Sequence, residues 1–105
     1  MTTYCFDLDG TLCTQSGTDY EAALPMPDRI AQVNHLFEAG NEILIFTARG
    51  SGTGIDQENL TRHQLKIWNV KYHKLILGKP AADFYIDDRA IHSDAFEWCL
   101  ANNPD

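Results

Sequence analysis

The sequence predicts an α/β fold with a mainly parallel sheet, and three observations support this prediction. Short apolar runs typical of strands alternate with amphipathic stretches typical of helices. The chain has 105 residues, of which 44% are hydrophobic and 22% charged, which suits one small domain over residues 1–105. Unusual polar residues follow the strand-like runs, as in parallel sheets that bind ligands at the carboxyl ends of their strands.

Two carboxylates mark the end of the first predicted strand, Tyr4–Leu8. Asp7 and Asp9 lie two residues apart and precede a Gly10-Thr11 turn. Because side chains alternate along a strand, both carboxylates are expected to point toward one place. Two converging anions are costly unless a cation or a proton resolves their repulsion. The simplest resolution is a hard metal ion, with Mg²⁺ the default partner of carboxylate oxygens. The alternative interpretation is an ordinary acidic turn.

The other predicted elements follow in order along the chain. The spacing of Ile30, Val33 and Leu36 is helical, while the continuous apolar run Ile43–Phe46 predicts a central strand buried on both faces. The full set after the first strand is a loop at residues 12–26, a helix from Pro27 to Gly40, a strand at Ile43–Phe46, a helix from Asp56 to Trp68, strands at Leu75–Leu77 and Phe84–Ile86, and a last helix from Ser93 or Asp94 to Ala101.

Further polar candidates follow the later strands. Thr47-Ala48-Arg49 comes after the second strand, Lys79 after the third, and Asp87-Asp88 after the fourth. We expect these residues at the same sheet edge as the first carboxylate pair. For Arg49 two interpretations stay open, because its planar guanidinium suits a phosphate but also suits capping a loop through carbonyl oxygens.

The net charge and the cysteine content indicate which binding partners and which cellular compartment to expect. The formal net charge of −7 argues against binding nucleic acid or an anionic membrane surface. Three cysteines without a CxxC pair, in a sequence without a signal peptide, predict reduced thiols and a cytoplasmic setting. No apolar run approaches the length that spans a membrane.

From Tyr4 to about Leu100 the chain resembles the haloacid dehalogenase (HAD) superfamily of phosphotransferases. The resemblance rests on four motifs in the family's order: D-x-D-G-T at Asp7–Thr11, a strand ending in Thr at Ile45-Phe46-Thr47, Gly78-Lys79-Pro80, and Tyr85-Ile86-Asp87-Asp88. It implies a Rossmann-like, three-layer fold with strand order about 3-2-1-4. Neither usual cap insertion fits the loop and helix lengths, so a capless member is expected.

The resemblance also implies roles for individual residues. Asp7 would be the nucleophile that forms an aspartyl-phosphate, and Asp9 would be the general acid and base. Mg²⁺ would be held by Asp7, the backbone carbonyl of Asp9, and Asp88, with Asp87 as a further ligand or a source of local field. The phosphate would be bound by Thr47, Ala48, Arg49 and Lys79.

The expected function is therefore a Mg²⁺-dependent phosphomonoesterase for a small phosphorylated substrate. The string from Tyr20 through Asp88 resembles small phosphatases of capsule and lipopolysaccharide biosynthesis, which implies a sugar phosphate. The alternatives are an end-processing enzyme similar to polynucleotide 3′-phosphatases and a phosphate-ester-binding module without turnover. Because an open, capless site needs cover to exclude water, we also expect a homo-oligomer.

Overall fold

The computed structural model describes residues 1–98, and its centre is a sheet of three parallel strands. The strands are β1 (Thr3–Phe6), β2 (Glu42–Phe46) and β3 (Lys74–Ile76), in the order β1-β2-β3. Both pairings are parallel, and the register places Ile45 of β2 beside Phe6 and Leu75. The predicted α/β fold with a parallel sheet is confirmed.

Two α-helices connect these strands close to the predicted positions. Helix α1 spans Pro27–Glu38, with Pro27 at its first position, where the missing N–H costs no hydrogen bond. Helix α2 spans Glu58–Ile67, and the carboxylate of Asp56, which lies just before the helix, accepts a 2.9 Å hydrogen bond from the Glu58 N–H. Within the predicted loop, Tyr20–Ala22 forms one turn of 3₁₀ helix.

The helices cover one face of the sheet. Ile43 and Ile45 are fully buried and share a core with residues of both helices, including Val33 of α1 and Leu65 of α2. On the opposite face Leu44 and Phe46 are half-buried and Cys5 is exposed. The prediction that β2 is buried on both faces is therefore wrong for residues 1–98, and the third layer is not confirmed.

The predicted fourth strand is absent from the sheet in the described part of the chain. Phe84 and Ile86 are 82% and 97% exposed, and β1 is an edge strand. The Tyr85 hydroxyl donates to the Pro80 carbonyl and accepts from the Ala82 N–H, so the segment bends back on itself. A three-residue apolar run does not form a strand without a partner strand. Here the local hydrogen bonds of Tyr85 take the place of pairing with another strand. The predicted order 3-2-1-4 is therefore not confirmed.

The end of the described chain packs against β1 through aromatic side chains. Phe96 lies edge-on to Tyr4 and Phe6, with ring centroids 6.3 and 5.7 Å apart, and Trp98 lies 5.8 Å from Phe6. The predicted last helix is not formed at residues 93–98, where a turn is found instead, and its remainder lies outside the described residues. Neither α-helix of residues 1–98 is long and apolar enough to cross a membrane.

Truncation of Leu65 tests whether the buried face of α2 stabilises the fold by packing in the core. Leu65→Ala should lower the free energy of unfolding by about 2–5 kcal/mol, because this side chain is fully buried in the core. Ile67→Ala on the same helix is the matched control, and it should change stability by only about 0.5 kcal/mol, since Ile67 is 62% exposed. Urea unfolding measures both, and equal losses would contradict this packing.

Candidate active site

A tight turn after β1 presents the two carboxylates. The Leu8 carbonyl accepts hydrogen bonds from the N–H groups of Thr11 (3.0 Å) and Leu12 (2.8 Å). Gly10 adopts φ +82°, a conformation that glycine enters without a side-chain penalty. Because β1 ends at Phe6, the turn rather than strand alternation sets the directions of Asp7 and Asp9.

Lys79 faces the first carboxylate. Its Nζ lies 3.7 Å from Oδ1 of Asp7, and its backbone N–H donates a 3.1 Å hydrogen bond to the Thr47 carbonyl. That bond ties the segment after β3 to the end of β2. Burial raises the pKa of Asp7 above its ordinary value, and the positive charge of Lys79 opposes the rise. The structure thus brings together two residues that the sequence placed far apart.

Arg49 forms a bidentate ion pair with the second carboxylate, that of Asp9. Its Nε and Nη2 donate 2.8 Å hydrogen bonds to Oδ2 and Oδ1 of Asp9. The Arg49 side chain is 0% exposed and that of Asp9 is 12% exposed. Charge-assisted, bidentate pairs of this kind are among the strongest hydrogen-bonded contacts in proteins. The loop after β2 is therefore fastened to the turn after β1.

The remaining donors of Arg49 are also occupied. Nη1 donates to Oγ1 of Thr61 (3.2 Å) and Oε1 of Gln64 (2.5 Å), while Nη2 also contacts Sγ of Cys13 at 3.9 Å. The guanidinium carbon lies 4.7 Å from the centre of the Tyr20 ring. All five N–H groups of the guanidinium thus have partners. The predicted contact between Arg49 and a phosphate would require one of these bonds to be given up.

Burial and ion pairing act in opposite directions on this arginine. Burial lowers the pKa of Arg49, but the hydrogen bonds and charge of Asp9, with a smaller contribution from Cys13, outweigh it and raise the pKa above its ordinary value. Arg49 is therefore a permanent cation at the site.

Cys13 is a third contact of Asp9. Its Sγ lies 3.4 Å from Oδ1 of Asp9, and the side chain is fully buried. Burial, followed by the Asp9 charge, raises the pKa of Cys13 to about 12. The group is therefore a neutral thiol near pH 7, able to donate its proton to the carboxylate.

Sequence reasoning missed Thr61 and Gln64, the two side chains that accept hydrogen bonds from Nη1 of Arg49. Thr61 and Gln64 are polar, yet they lie three positions apart on the buried face of α2. Buried polar side chains usually form a hydrogen bond with another buried polar group. Polar residues on the buried face of a helix were therefore the signal from which this contact could have been predicted. Gln64 also donates a 2.7 Å hydrogen bond to the Tyr20 carbonyl, which joins the 3₁₀ helix to the same network.

Thr47 lies at the same sheet edge, as predicted. It is almost fully buried, and its Oγ1 accepts a 3.1 Å hydrogen bond from the backbone N–H of Arg49. The hydroxyl keeps its own proton for donation. The carbonyl of Ala48 accepts from the N–H of Ser51 at 2.9 Å. The predicted phosphate contacts of Thr47 and Ala48 stay predictions.

The acidic residues of the fourth motif are not joined to this site. Asp87 and Asp88 lie in a stretch in which every residue from 81 to 90 is exposed. The Arg89 N–H donates a 2.8 Å hydrogen bond to Asp87, which lowers the pKa of Asp87. Across residues 1–98 no three His, Cys, Asp or Glu side chains lie close enough together to hold a metal. In this arrangement the residues present do not fit Mg²⁺, because the strand that should carry Asp88 to the sheet edge is unpaired.

A shallow cleft borders the site. It has a volume of about 270 Å³ and lies beside Arg49, between the loop after β2 and the segment after β3. Its lining residues are Arg49, Gly50, Ser51, Gly54, Ile55, Asp56, Gln57, Leu77 and Gly78. Among the predicted site residues, Arg49 lines this cleft.

Two known structures share the fold of this chain. A chain of the Pnkp1/Rnl/Hen1 complex superposes with a TM-score of 0.59 and 18% identity, covering 83% of this chain and 30% of that one. The D,D-heptose 1,7-bisphosphate phosphatase from B. bronchiseptica, complexed with magnesium and phosphate, gives a TM-score of 0.58 and 16% identity, covering 79% of this chain and 52% of that one. The fold is thus shared with HAD-like structures.

A nearer relative has been crystallised from Vibrio cholerae. This MCSG target is 33% identical to the present chain, with a TM-score of 0.78, and the similarity covers 90% of this chain and 85% of that one. The chain belongs to the same protein family as this Vibrio cholerae protein. No family model and no curated protein matches the sequence.

The glycine after Arg49 tests whether the loop conformation is needed. Gly50 has φ +84°, and a Cβ there would lie 2.4 Å from the Ile55 carbonyl oxygen. Gly50→Ala should therefore lower the free energy of unfolding by about 1–3 kcal/mol. Gly52→Ala in the same loop is the matched control, because its Cβ would meet nothing within 4 Å. If thermal unfolding shows equal losses of stability in the two variants, the loop does not have the conformation described.

Proposed function

We propose that the protein is a phosphomonoesterase that cleaves a small sugar phosphate through an aspartyl-phosphate on Asp7. The observation that carries this proposal is the convergence of four predicted site residues at one edge of the sheet. They are Asp7 with Lys79 at 3.7 Å, Asp9 in the adjoining turn, and Thr47 bonded to the Lys79 backbone. The HAD-like fold of the phosphatase from B. bronchiseptica supports the same reaction class.

We propose a catalytic role for each of these residues. Lys79 and the Thr47 hydroxyl would bind phosphoryl oxygens and stabilise their charge in the transition state. An Asp7 oxygen attacks phosphorus as the ester P–O bond breaks, and the departing oxygen takes a proton from Asp9. Water then attacks phosphorus, the bond to Asp7 breaks, and Asp9 accepts the proton of that water.

We further propose that activity requires Mg²⁺ and that the acidic motif moves to bind it. The apolar segment at 84–86 is exposed while β1 has an unpaired edge, and such an edge is a template for another strand. Pairing there, as the order 3-2-1-4 requires, would carry Asp87 and Asp88 toward Asp7 and the Asp9 carbonyl. A Mg²⁺ ion held by Asp7, the Asp9 carbonyl and Asp88 would supply positive charge for the phosphoryl oxygens.

The proposed substrate class rests on surface properties. The net charge of −7 disfavours a polyanion, whereas a small phosphate ester places few like charges near the surface. The cleft beside Arg49 would contact the sugar. Since the Asp7 side chain is 37% exposed and no cap is present in residues 1–98, we propose that a second copy of the chain shields it.

One comparison favours a second candidate function. We propose a polynucleotide 3′-phosphatase activity as the second candidate, supported by the fold shared with a chain of the Pnkp1/Rnl/Hen1 complex. A 3′-phosphorylated oligonucleotide that competes better than a sugar phosphate would favour that activity. Mg²⁺-dependent binding of phosphate esters without hydrolysis would favour a module without turnover.

The nucleophile assignment predicts a severe loss in Asp7→Asn. Release of inorganic phosphate from a panel of sugar phosphates should fall at least about 10³-fold, because an amide cannot form the covalent intermediate. Asp19→Asn is the matched control, since Asp19 is exposed in the loop before the 3₁₀ helix and should leave the rate unchanged. EDTA should abolish wild-type release and Mg²⁺ should restore it. Wild-type turnover by Asp7→Asn would reject the assignment.

A further inference from the structure

The acceptor sites of the Asp9 carboxylate are unequally used. A carboxylate offers about four lone-pair positions, two on each oxygen. Oδ1 accepts from Arg49 Nη2 and from Cys13 Sγ at 3.4 Å, a shorter contact than the one between this thiol and the Leu8 carbonyl at 3.7 Å. Oδ2 accepts only from Arg49 Nε. Within residues 1–98 one acceptor position therefore stays open, and it belongs to Oδ2.

The donor side of this contact is held rigidly. The Arg49 side chain is fully buried, and its Nη1 is fixed from behind by Thr61 and Gln64 on α2. The guanidinium carbon lies over the Tyr20 ring, 4.7 Å from its centre. Since Asp9 cannot rotate without breaking two charge-assisted hydrogen bonds, the open position on Oδ2 has a fixed direction.

We infer that Arg49 is a positioning residue that aims Oδ2 of Asp9 at the reacting oxygen, rather than a phosphate ligand. This inference rests on the proposed phosphatase function and assigns one atom of Asp9 to proton transfer. Cys13 assists by occupying the second position on Oδ1, which leaves Oδ2 as the acceptor.

The inferred role matters most in the second half of the reaction. When water attacks phosphorus, the new P–O bond forms, the bond between phosphorus and Asp7 breaks with its electron pair going to Asp7, and the water proton passes to Oδ2 of Asp9. The same proton then protonates the next leaving alcohol. A misdirected Oδ2 would slow hydrolysis of the intermediate without weakening phosphate binding.

Arg49→Lys with 4-nitrophenyl phosphate separates the two roles, because 4-nitrophenolate departs without needing a proton. Lysine keeps the positive charge but loses the planar fork. We expect kcat to fall roughly 10- to 100-fold with KM falling in proportion, so that kcat/KM is nearly unchanged. Phosphorylated protein should accumulate and be visible by mass spectrometry after acid quench. With an alkyl phosphate, whose leaving group needs the proton, both kcat and kcat/KM should fall.

Two further variants keep the test decisive. Arg62→Lys is the matched control, because Arg62 is an exposed arginine on α2, and its kinetics should equal those of the wild type. Gln64→Met removes one support of Arg49 with little change of shape, and it should show the Arg49→Lys pattern more weakly, even if Arg49→Lys itself does not fold.

The outcomes distinguish this inference from the proposed function. A wild-type protein that releases no phosphate from any ester overturns the phosphatase proposal itself. A wild-type protein that turns over, combined with folded variants whose kcat/KM for 4-nitrophenyl phosphate falls as much as kcat, overturns the inference. In that case Arg49 contributes to substrate binding or to the fold, and not to the direction of Oδ2.

Discussion

The buried ion pair between Arg49 and Asp9 is the contact on which the site geometry depends. Burying a guanidinium is costly unless its charge and all its donors are matched. Here the matching partners come from three parts of the chain, namely the turn after β1, helix α2 and the short 3₁₀ helix, while Arg49 itself lies in the loop after β2. Loss of any partner leaves a buried polar group unsatisfied, so these segments are held in one arrangement.

Much of the sheet and both helices could be predicted because their signals are local. The spacing of apolar residues predicted α1, and the continuous run before Thr47 predicted β2. The pairing of Arg49 with Asp9 joins residues 40 positions apart, and no local pattern encodes such a contact. Sequence reasoning identified both residues as members of the site but left the partner of Arg49 open.

The fourth strand shows the limit of local signals most clearly. Residues 84–86 have the β-branched and aromatic character of a strand, yet strand structure also requires a partner edge, which is a non-local condition. In the structure the Tyr85 hydroxyl instead satisfies groups within its own segment. The carboxylates of Asp87 and Asp88 therefore remain in solvent, and the edge of β1 stays free among the described residues.

Hydrogen exchange at residues 84–88 tests most directly whether the acidic segment completes the site. The amides should exchange at least about tenfold more slowly when Mg²⁺ and inorganic phosphate are added, because pairing with β1 gives them hydrogen-bond partners. Asp88→Asn should remove this protection while leaving the amides of β2 unchanged. Exchange at 84–88 that does not respond to Mg²⁺, in a protein whose phosphatase activity requires Mg²⁺, would contradict the proposed assembly of the site.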